Sequence, residues 1–180
     1  MRKVLIVVDM QNDFITGALG STEAQAIVPN VVEKVKNFKG EEIFFTRDTH
    51  HSDYFDTLEG INLPVLHCIQ GSKGWQIIDA LTPYIQHNYQ VINKLTFGYE
   101  NWKNYLHLDE DEYEFGLGLE FELCGVCTDI CVVSNALALR MLYPNAKITV
   151  DASCCAGVTP EKHAAALEVM KSCQIDVINE

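Results

Sequence analysis

No stretch of this chain is apolar for the roughly 20 residues that a membrane-spanning helix needs, so a helical membrane protein is excluded. Positive charge is equally scarce: 13 Lys and Arg against 25 Asp and Glu leave a net charge of −12. Such a surface repels phosphate backbones, and nucleic acid is not an expected partner. A disulfide framework is missing too. The cysteines number seven, an odd count, and two of them, Cys154 and Cys155, are adjacent, which suits a reducing compartment. Internal repeats, linkers and low-complexity segments are absent. The opening MRKVLIVVDMQNDF has a basic start, but its apolar run is only LIVV and Asp9 follows at once, so it reads as a first strand of a cytoplasmic protein, not as a secretory signal. What remains is 180 residues, 48% of them hydrophobic, enough for one domain over 1–180 with a sizeable core.

Apolar, β-rich runs alternate with helical patterns along that length. KVLIVVD (3–9), EIFFTR (42–47), QVINK (90–94), LEFELC (119–124), KITVD (147–151) and IDVI (175–178) read as strands, most of them continuously apolar as in a sheet covered on both faces. Between them, 22–38, 128–143 and 159–173 carry helical periodicity, the last opening on Thr159 as N-cap and Pro160 in the first turn. The acidic piece HLDEDEYE (107–114) reads as a solvated loop or helix edge. The alternation predicts an α/β three-layer sandwich, Rossmann-like, with a central, mainly parallel six-stranded sheet and helices on both faces. In such sheets ligands bind beyond the carboxyl ends of the strands. Asp9 ends the first strand, Asp48 and His50 follow the second, Lys94 ends the third and the cysteine stretch follows the fourth, and they should meet on one rim.

That stretch, LCGVCTDICVV, holds Cys124, Cys127 and Cys131. Metal ligation lacks a fourth partner at a recognisable spacing. Burial as packing suits Cys124, at the end of an apolar strand. Cys131 falls in the first turn of a helix, where free backbone amides and the helix dipole favour a thiolate, so for it nucleophile and packing remain balanced alternatives. Asp9 and Lys94, each at the end of an apolar strand, need partners to be buried. They form either a structural ion pair or, with Cys131, a general base and its cationic support. Asp48 and His50 in a D-x-H spacing read as a polar loop or as ligands of a divalent ion.

Taken together, VVDMQNDF, TRDTHHSDY, LPVLHCIQGSKGW, VINKLTFG and GVCTDICV resemble, in order, the motifs of the isochorismatase-like cysteine hydrolases, and within them the nicotinamidases. DASCCAGVTPEKHAAAL resembles the family's last strand–loop–helix unit, so nearly the whole chain is covered. The resemblance implies a triad of Asp9, Lys94 and Cys131, and an oxyanion hole from the backbone N–H groups of Cys127 and Cys131, with a cis peptide between Val126 and Cys127. It implies metal ligation by Asp48, His50 and His67, with Glu59 as a fourth ligand. The ion is zinc first, with iron or manganese as alternatives, and it holds a pyridine nitrogen. Phe14 resembles the aromatic wall beside the substrate ring; Trp75 and Phe97 are further substrate-binding candidates, each equally compatible with packing. A homo-oligomer, dimer or tetramer, is also implied.

The implied reaction is hydrolysis of nicotinamide to nicotinate and ammonia, within NAD salvage, through a Cys131 acyl-thioester with Asp9 as base. Relatives that act on carbamoyl compounds, ureides or other small amides share the triad and are the alternative. Vinyl-ether hydrolysis of isochorismate needs neither thiol nor metal ligands, and these residues count against it. A non-enzymatic redox or metal-binding protein would depend on Cys124 or Cys127 as much as on Cys131.

Overall fold

Residues 4–8, the interior of the first strand, are all buried, because this strand lies inside the sheet with neighbours on both edges. The computed structural model describes residues 1–40, 42–106 and 114–180. Its strands are β1 Arg2–Val8, β2 Glu42–Asp48, β3 Val91–Lys94, β4 Leu119–Val126, β5 Lys147–Ala156 and β6 Asp176–Ile178. They form one sheet in the order β3-β2-β1-β4-β5-β6, with every neighbouring pair parallel. All six strands expected from the sequence are present.

The helices are α1 Asn12–Ile15, α2 Thr22–Ala26, α3 Val28–Asn37, α4 Leu58–Asn62, α5 Trp102–Tyr105, α6 Val133–Leu142 and α7 Pro160–Ser172. The chain steps from β1 to β2 in one direction along the sheet and from β4 to β5 in the other. Right-handed crossovers therefore put α3 and α6 on opposite faces. The same reversal makes the gap between the carboxyl ends of β1 and β4 the topological switch point, where open α/β sheets bind their ligands. At that place Gly125 has φ +118°, and a Cβ on it would stand 2.1 Å from the Val8 carbonyl oxygen, so only glycine lets the two strand ends run this close. No helix among the described residues is long and apolar enough to cross a membrane.

Two of the expected helices differ in detail. The 22–38 pattern is split at Ile27 into α2 and α3, because Pro29, in the first turn of α3, has no N–H to carry a helix through. The 128–143 pattern starts as a π-helical turn, Thr128–Val132, in which the Val132 N–H donates to the Cys127 carbonyl at 3.0 Å. The third, α7, starts as expected, with the Thr159 side chain accepting the Lys162 N–H. The acidic stretch 107–114 lies, but for Glu114, outside the described residues.

A polar cluster fastens α3 to β4 and β5. The Lys34 ammonium contacts Asp151 at 2.6 Å and also Glu122, while Asp151 accepts hydrogen bonds from Ser153 (2.8 Å) and Asn179 (3.1 Å). Burial would raise the Asp151 carboxyl, but these three donors hold it below its ordinary value. A carboxylate whose folded pKa is depressed adds stability above its unfolded pKa of about 3.9 and loses it as pH falls through the folded value. Asp151→Asn is therefore expected to destabilise the protein by about 1–2 kcal/mol at pH 7. The gap to the wild type should close below about pH 4, as read from urea midpoints across pH. A gap that stays constant to pH 3 would contradict this account.

Candidate active site

Asp9 is the first residue beyond β1 and sits at φ +49°, a left-handed conformation unusual for a residue with a side chain. Its surroundings hold it there. The Thr46 hydroxyl on β2 donates to Asp9 Oδ1 at 2.6 Å and accepts the Asp9 N–H at 3.2 Å. The other carboxylate oxygen, Oδ2, is 2.7 Å from Nζ of Lys94, yet has no aligned hydrogen bond, which leaves it open to accept a proton. Lys94 ends β3. Its ammonium also reaches the Thr96 carbonyl (3.2 Å), Asp48 Oδ1 (3.4 Å) and the Cys131 sulfur (3.5 Å). Asp9, Lys94 and Cys131 are 0%, 1% and 5% exposed, so this charge cluster works out of bulk water, where electrostatic contacts are strongest.

Burial sets the protonation states. It pushes the Asp9 carboxyl up against the opposing pull of Lys94, making Asp9 a better base than an ordinary carboxylate. Burial would lower Lys94, but the charges of Asp9, Cys131 and Asp48 hold it well above its ordinary value, so it stays an ammonium. Burial and then Asp9 push the Cys131 thiol up. At rest the sulfur is a neutral thiol beside Asp9 and a fixed cation. The peptide bond between Val126 and Cys127 is cis, and it lies immediately before the π-helical turn that carries Cys131.

A second cluster adjoins the first through Asp48. While Asp48 Oδ1 faces Lys94, its Oδ2 lies 2.9 Å from His50 Nε2 and 3.7 Å from His67 Nε2; Glu59 Oε1 is 3.6 and 3.7 Å from the same two nitrogens. One ligand atom from each of the four residues falls within 4.8 Å of all the others. His67 Nδ1 is 2.8 Å from the Val65 carbonyl, which fixes that nitrogen as the donor and leaves Nε2 free for the cluster. His50 Nε2 is buried without an aligned hydrogen bond. An orphaned imidazole nitrogen facing two carboxylates and a second imidazole fits a divalent ion of the zinc, iron or manganese type. Burial alone would raise Asp48, but the adjoining imidazoles and the Lys94 charge hold its carboxyl well below the usual carboxylate range, so it is an anion ready to ligate.

Several residues that the sequence did not single out build this geometry. Gln11, fully buried after β1, accepts the Asp48 N–H at Oε1 (2.7 Å) and donates to the Asp48 carbonyl (2.9 Å), gripping the backbone of the residue shared by both clusters. Asp13 accepts the Cys68 N–H at 2.7 Å, steadying the residue after His67. Tyr54 is fully buried, with its ring centroid 4.7 Å from that of His50 and 5.2 Å from that of His67. Asn135 donates to the Cys131 carbonyl (2.8 Å) and accepts from the Tyr99 N–H and the Trp102 indole. The signal for Gln11 and Asp13 was within reach, since both belong to DMQND just past the first strand.

The first cluster through Cys131, and the second through Asp48, Glu59 and His67, open on a cavity of about 460 Å³ at the carboxyl ends of β2, β4 and β5, within the usual size of a small-molecule site. Phe14, Phe97, Cys127, Cys131, Asp48, Glu59 and His67 line it. The Phe14 ring lies 5.6 Å from His67. Trp75, expected with them, is not among the lining residues. Its indole N–H donates to Thr49 Oγ1 at 2.9 Å and its ring carries the Arg47 guanidinium 3.5 Å above one face, so the polar edge and that face are used in packing. Cys124 is fully buried in the core.

Residues 3–180 match the family model described as Isochorismatase domain. The crystal structure of nicotinamidase PncA from Bacillus subtilis is similar with a TM-score of 0.82 at 26% identity, covering 99% of this chain and 100% of that one. A pyrazinamidase of Pyrococcus horikoshii, solved in complex with zinc, is similar with a TM-score of 0.74 at 27% identity over 100% of both chains. A probable inactive nicotinamidase of Arabidopsis thaliana is 27% identical over 180 residues, which cover 93% of this chain and 87% of its own length.

Proposed function

We propose that this chain, which belongs to the isochorismatase family of hydrolases, hydrolyses the carboxamide of a small nitrogen heterocycle, nicotinamide first, to the acid and ammonia. The observation that carries the reading is the pair of clusters on one cavity: a thiol 3.5 Å from an ammonium that pairs with a carboxylate base at 2.7 Å, and four metal-type ligands sharing Asp48 with it. An amidase needs a nucleophile, a proton carrier and a way to hold the rest of the substrate still, and the cavity has a group for each. The similar nicotinamidase and pyrazinamidase structures support the same class.

The steps follow from the protonation states. As the Cys131 sulfur adds to the amide carbon, its proton passes to the open oxygen of Asp9, and Lys94 stabilises the negative charge leaving the carboxylate for the sulfur. The carbonyl oxygen becomes an oxyanion, held by the N–H groups of Cys127 and Cys131. Collapse breaks the C–N bond, and Asp9 returns its proton to the departing nitrogen, releasing ammonia and leaving a thioester. Water then attacks the thioester, its proton going to Asp9; the C–S bond breaks, the acid leaves and Cys131 regains the proton. Asp48, His50, Glu59 and His67 would hold a divalent ion, which when bound would supply a Lewis-acid anchor for a ring nitrogen. Phe14 and Phe97 lie in the cavity lining and offer aromatic surface to the ring, and Asp48 joins the ligand cluster to Lys94 at 3.4 Å.

The test is ammonia release from nicotinamide, pyrazinamide and a carbamoyl amino acid, with and without chelation and zinc repletion. Turnover of the ring amides that falls on chelation and returns with zinc is expected. Activity confined to the carbamoyl compound would move the substrate to the ureide class, and silence on all three would sink the amidase reading. In equilibrium dialysis, His50→Ala is expected to weaken zinc retention at least about a hundredfold, since loss of a ligand exceeds the loss seen for supporting residues.

A further inference from the structure

The turn that presents Cys131 is held from two sides. Its second half is tied down by its own helix: Ser134 donates to the Ile130 carbonyl at 2.6 Å and Asn135 to the Cys131 carbonyl at 2.8 Å. Its first half is held by another element, the start of α7. Thr128 is 0% exposed, and its hydroxyl lies 2.7 Å from Nδ1 of His163 in the first turns of α7. Asp129 Oδ1 accepts the Val158 N–H at 2.9 Å in the loop before α7. Gly157 is wedged between the two elements. A Cβ there would stand 2.8 Å from Asp129 Oδ1 and 2.9 Å from both the backbone nitrogen and Cβ of His163. That close fit seats the start of α7 directly against the turn.

Such bracing matters because of the turn's form. Its hydrogen bond runs from the Val132 N–H back to the Cys127 carbonyl, a wider ring than in an α-helix, a form that recurs at functional sites. Cys131 reacts only if its sulfur keeps its place against Asp9 and Lys94, and a misplacement of about 1 Å costs on the order of a hundredfold in rate. His163 touches neither the triad nor the metal-type cluster, and nothing in the chemistry above uses it. Its ring is half-buried, and burial lowers its pKa, so it is neutral at pH 7 and shares one hydrogen bond with the Thr128 hydroxyl.

We propose that His163 is a positioning residue for the nucleophile: through Thr128 it fixes the start of the π-helical turn, and with it the placement of the Cys131 sulfur against Asp9 and Lys94. The inference rests on Cys131 being the nucleophile, but not on the identity of the amide.

The experiment compares His163→Leu, which removes the bond, with His163→Asn, whose amide puts a polar atom where Nδ1 stands, and His163→Gln, whose amide reaches the place of Nε2 instead. Two readouts are used: iodoacetamide alkylation of Cys131, followed on its own peptide by mass spectrometry, and kcat and KM for ammonia release. His163→Leu and His163→Gln are expected to lower both the alkylation rate and kcat by about tenfold to a hundredfold, with KM moved less than about threefold. His163→Asn should stay within about threefold of the wild type, and Thr128→Val combined with His163→Leu should be no slower than the slower single variant. A merely structural role predicts otherwise: melting temperatures fall while alkylation and kcat hold, or asparagine fares as badly as leucine, or the double variant is multiplicatively worse. Each of these overturns the proposal. Should His163→Leu fail to fold, the asparagine and glutamine pair still decides. A wild type silent on every amide leaves the alkylation comparison to decide alone, whereas a wild-type Cys131 that does not alkylate overturns this inference and the hydrolytic reading together.

Discussion

Cys131→Ala is expected to reduce ammonia release by at least about a thousandfold, with the protein still folded. The size follows from what the sulfur does in the proposed reaction. It forms the bond that turns one difficult displacement by water into two easier acyl transfers, and no other thiol lies at 3.5 Å from the Lys94 ammonium among the described residues. Alanine leaves Asp9, Lys94 and the backbone amides in place, so substrate binding should persist and the residual rate reports positioning without a nucleophile. Removing a buried sulfur costs roughly 1 kcal/mol of stability, which separates a chemical loss from a folding loss. The comparison with Cys124→Ala discriminates between protein classes. Cys124 is fully buried on β4, and its thiol is pushed far up by burial, so it is unreactive packing and its loss should leave turnover within about threefold. A redox or metal-storage protein would be damaged as much by Cys124→Ala as by Cys131→Ala. Full nicotinamide turnover in Cys131→Ala would end the thioester mechanism.

The strands were legible because their signal is the same physics that buries them: β1, covered on both faces, has to be continuously apolar, and LIVV reads as nothing else. Side chains at strand ends were legible for a related reason. A charged residue closing an apolar run, as Asp9 and Lys94 do, has an energetic problem that only a partner solves, and the structure pairs them at 2.7 Å. Glu59 and His67 gave no such signal by themselves; family resemblance named them, and the fold brings them within reach of Asp48 and His50. What stayed hidden are contacts whose meaning lies in a distant backbone. Gln11 acts on the main chain of Asp48, 37 positions away, and the Thr128 hydroxyl meets a histidine 35 positions on. The break at Ile27 was readable from Pro29, but the periodicity across it favoured one helix. For Trp75 substrate contact and packing stayed open, because an aromatic in a motif-rich segment looks the same whether it faces a ligand or, as here, an arginine.

Lys94→Met tests the electrostatic centre, and its consequences extend beyond activity. The ammonium sits between Asp9, Asp48 and Cys131 with almost no solvent contact, and methionine of similar length fills the space without the charge. Two buried carboxylates then face each other unneutralised. Breaking a buried pair by removing one partner costs about 3–5 kcal/mol, and for a chain of this length that lowers the melting temperature by on the order of 10 °C. Turnover should fall by at least about a hundredfold, because the charge moving onto sulfur loses its counterion. As with Asp151→Asn the deficit closes toward acid pH, but for the opposite reason: there the wild type loses stability, whereas here the variant regains it. Burial already raises Asp9, and losing Lys94 removes what opposes it, so the variant's folded pKa rises further above the unfolded value. A raised carboxyl costs stability above its folded pKa and ceases to cost anything once it is protonated in both states, so the deficit should shrink as pH falls from 7 toward 4. Adding Asp9→Asn to Lys94→Met should recover a large part of the stability and none of the activity, since the amide needs no counterion but accepts no proton from sulfur. A deficit in Lys94→Met that is independent of pH, or a double variant less stable than the single, would mean that the pair is held by packing alone and that Asp9 is not the charged base on which the mechanism depends.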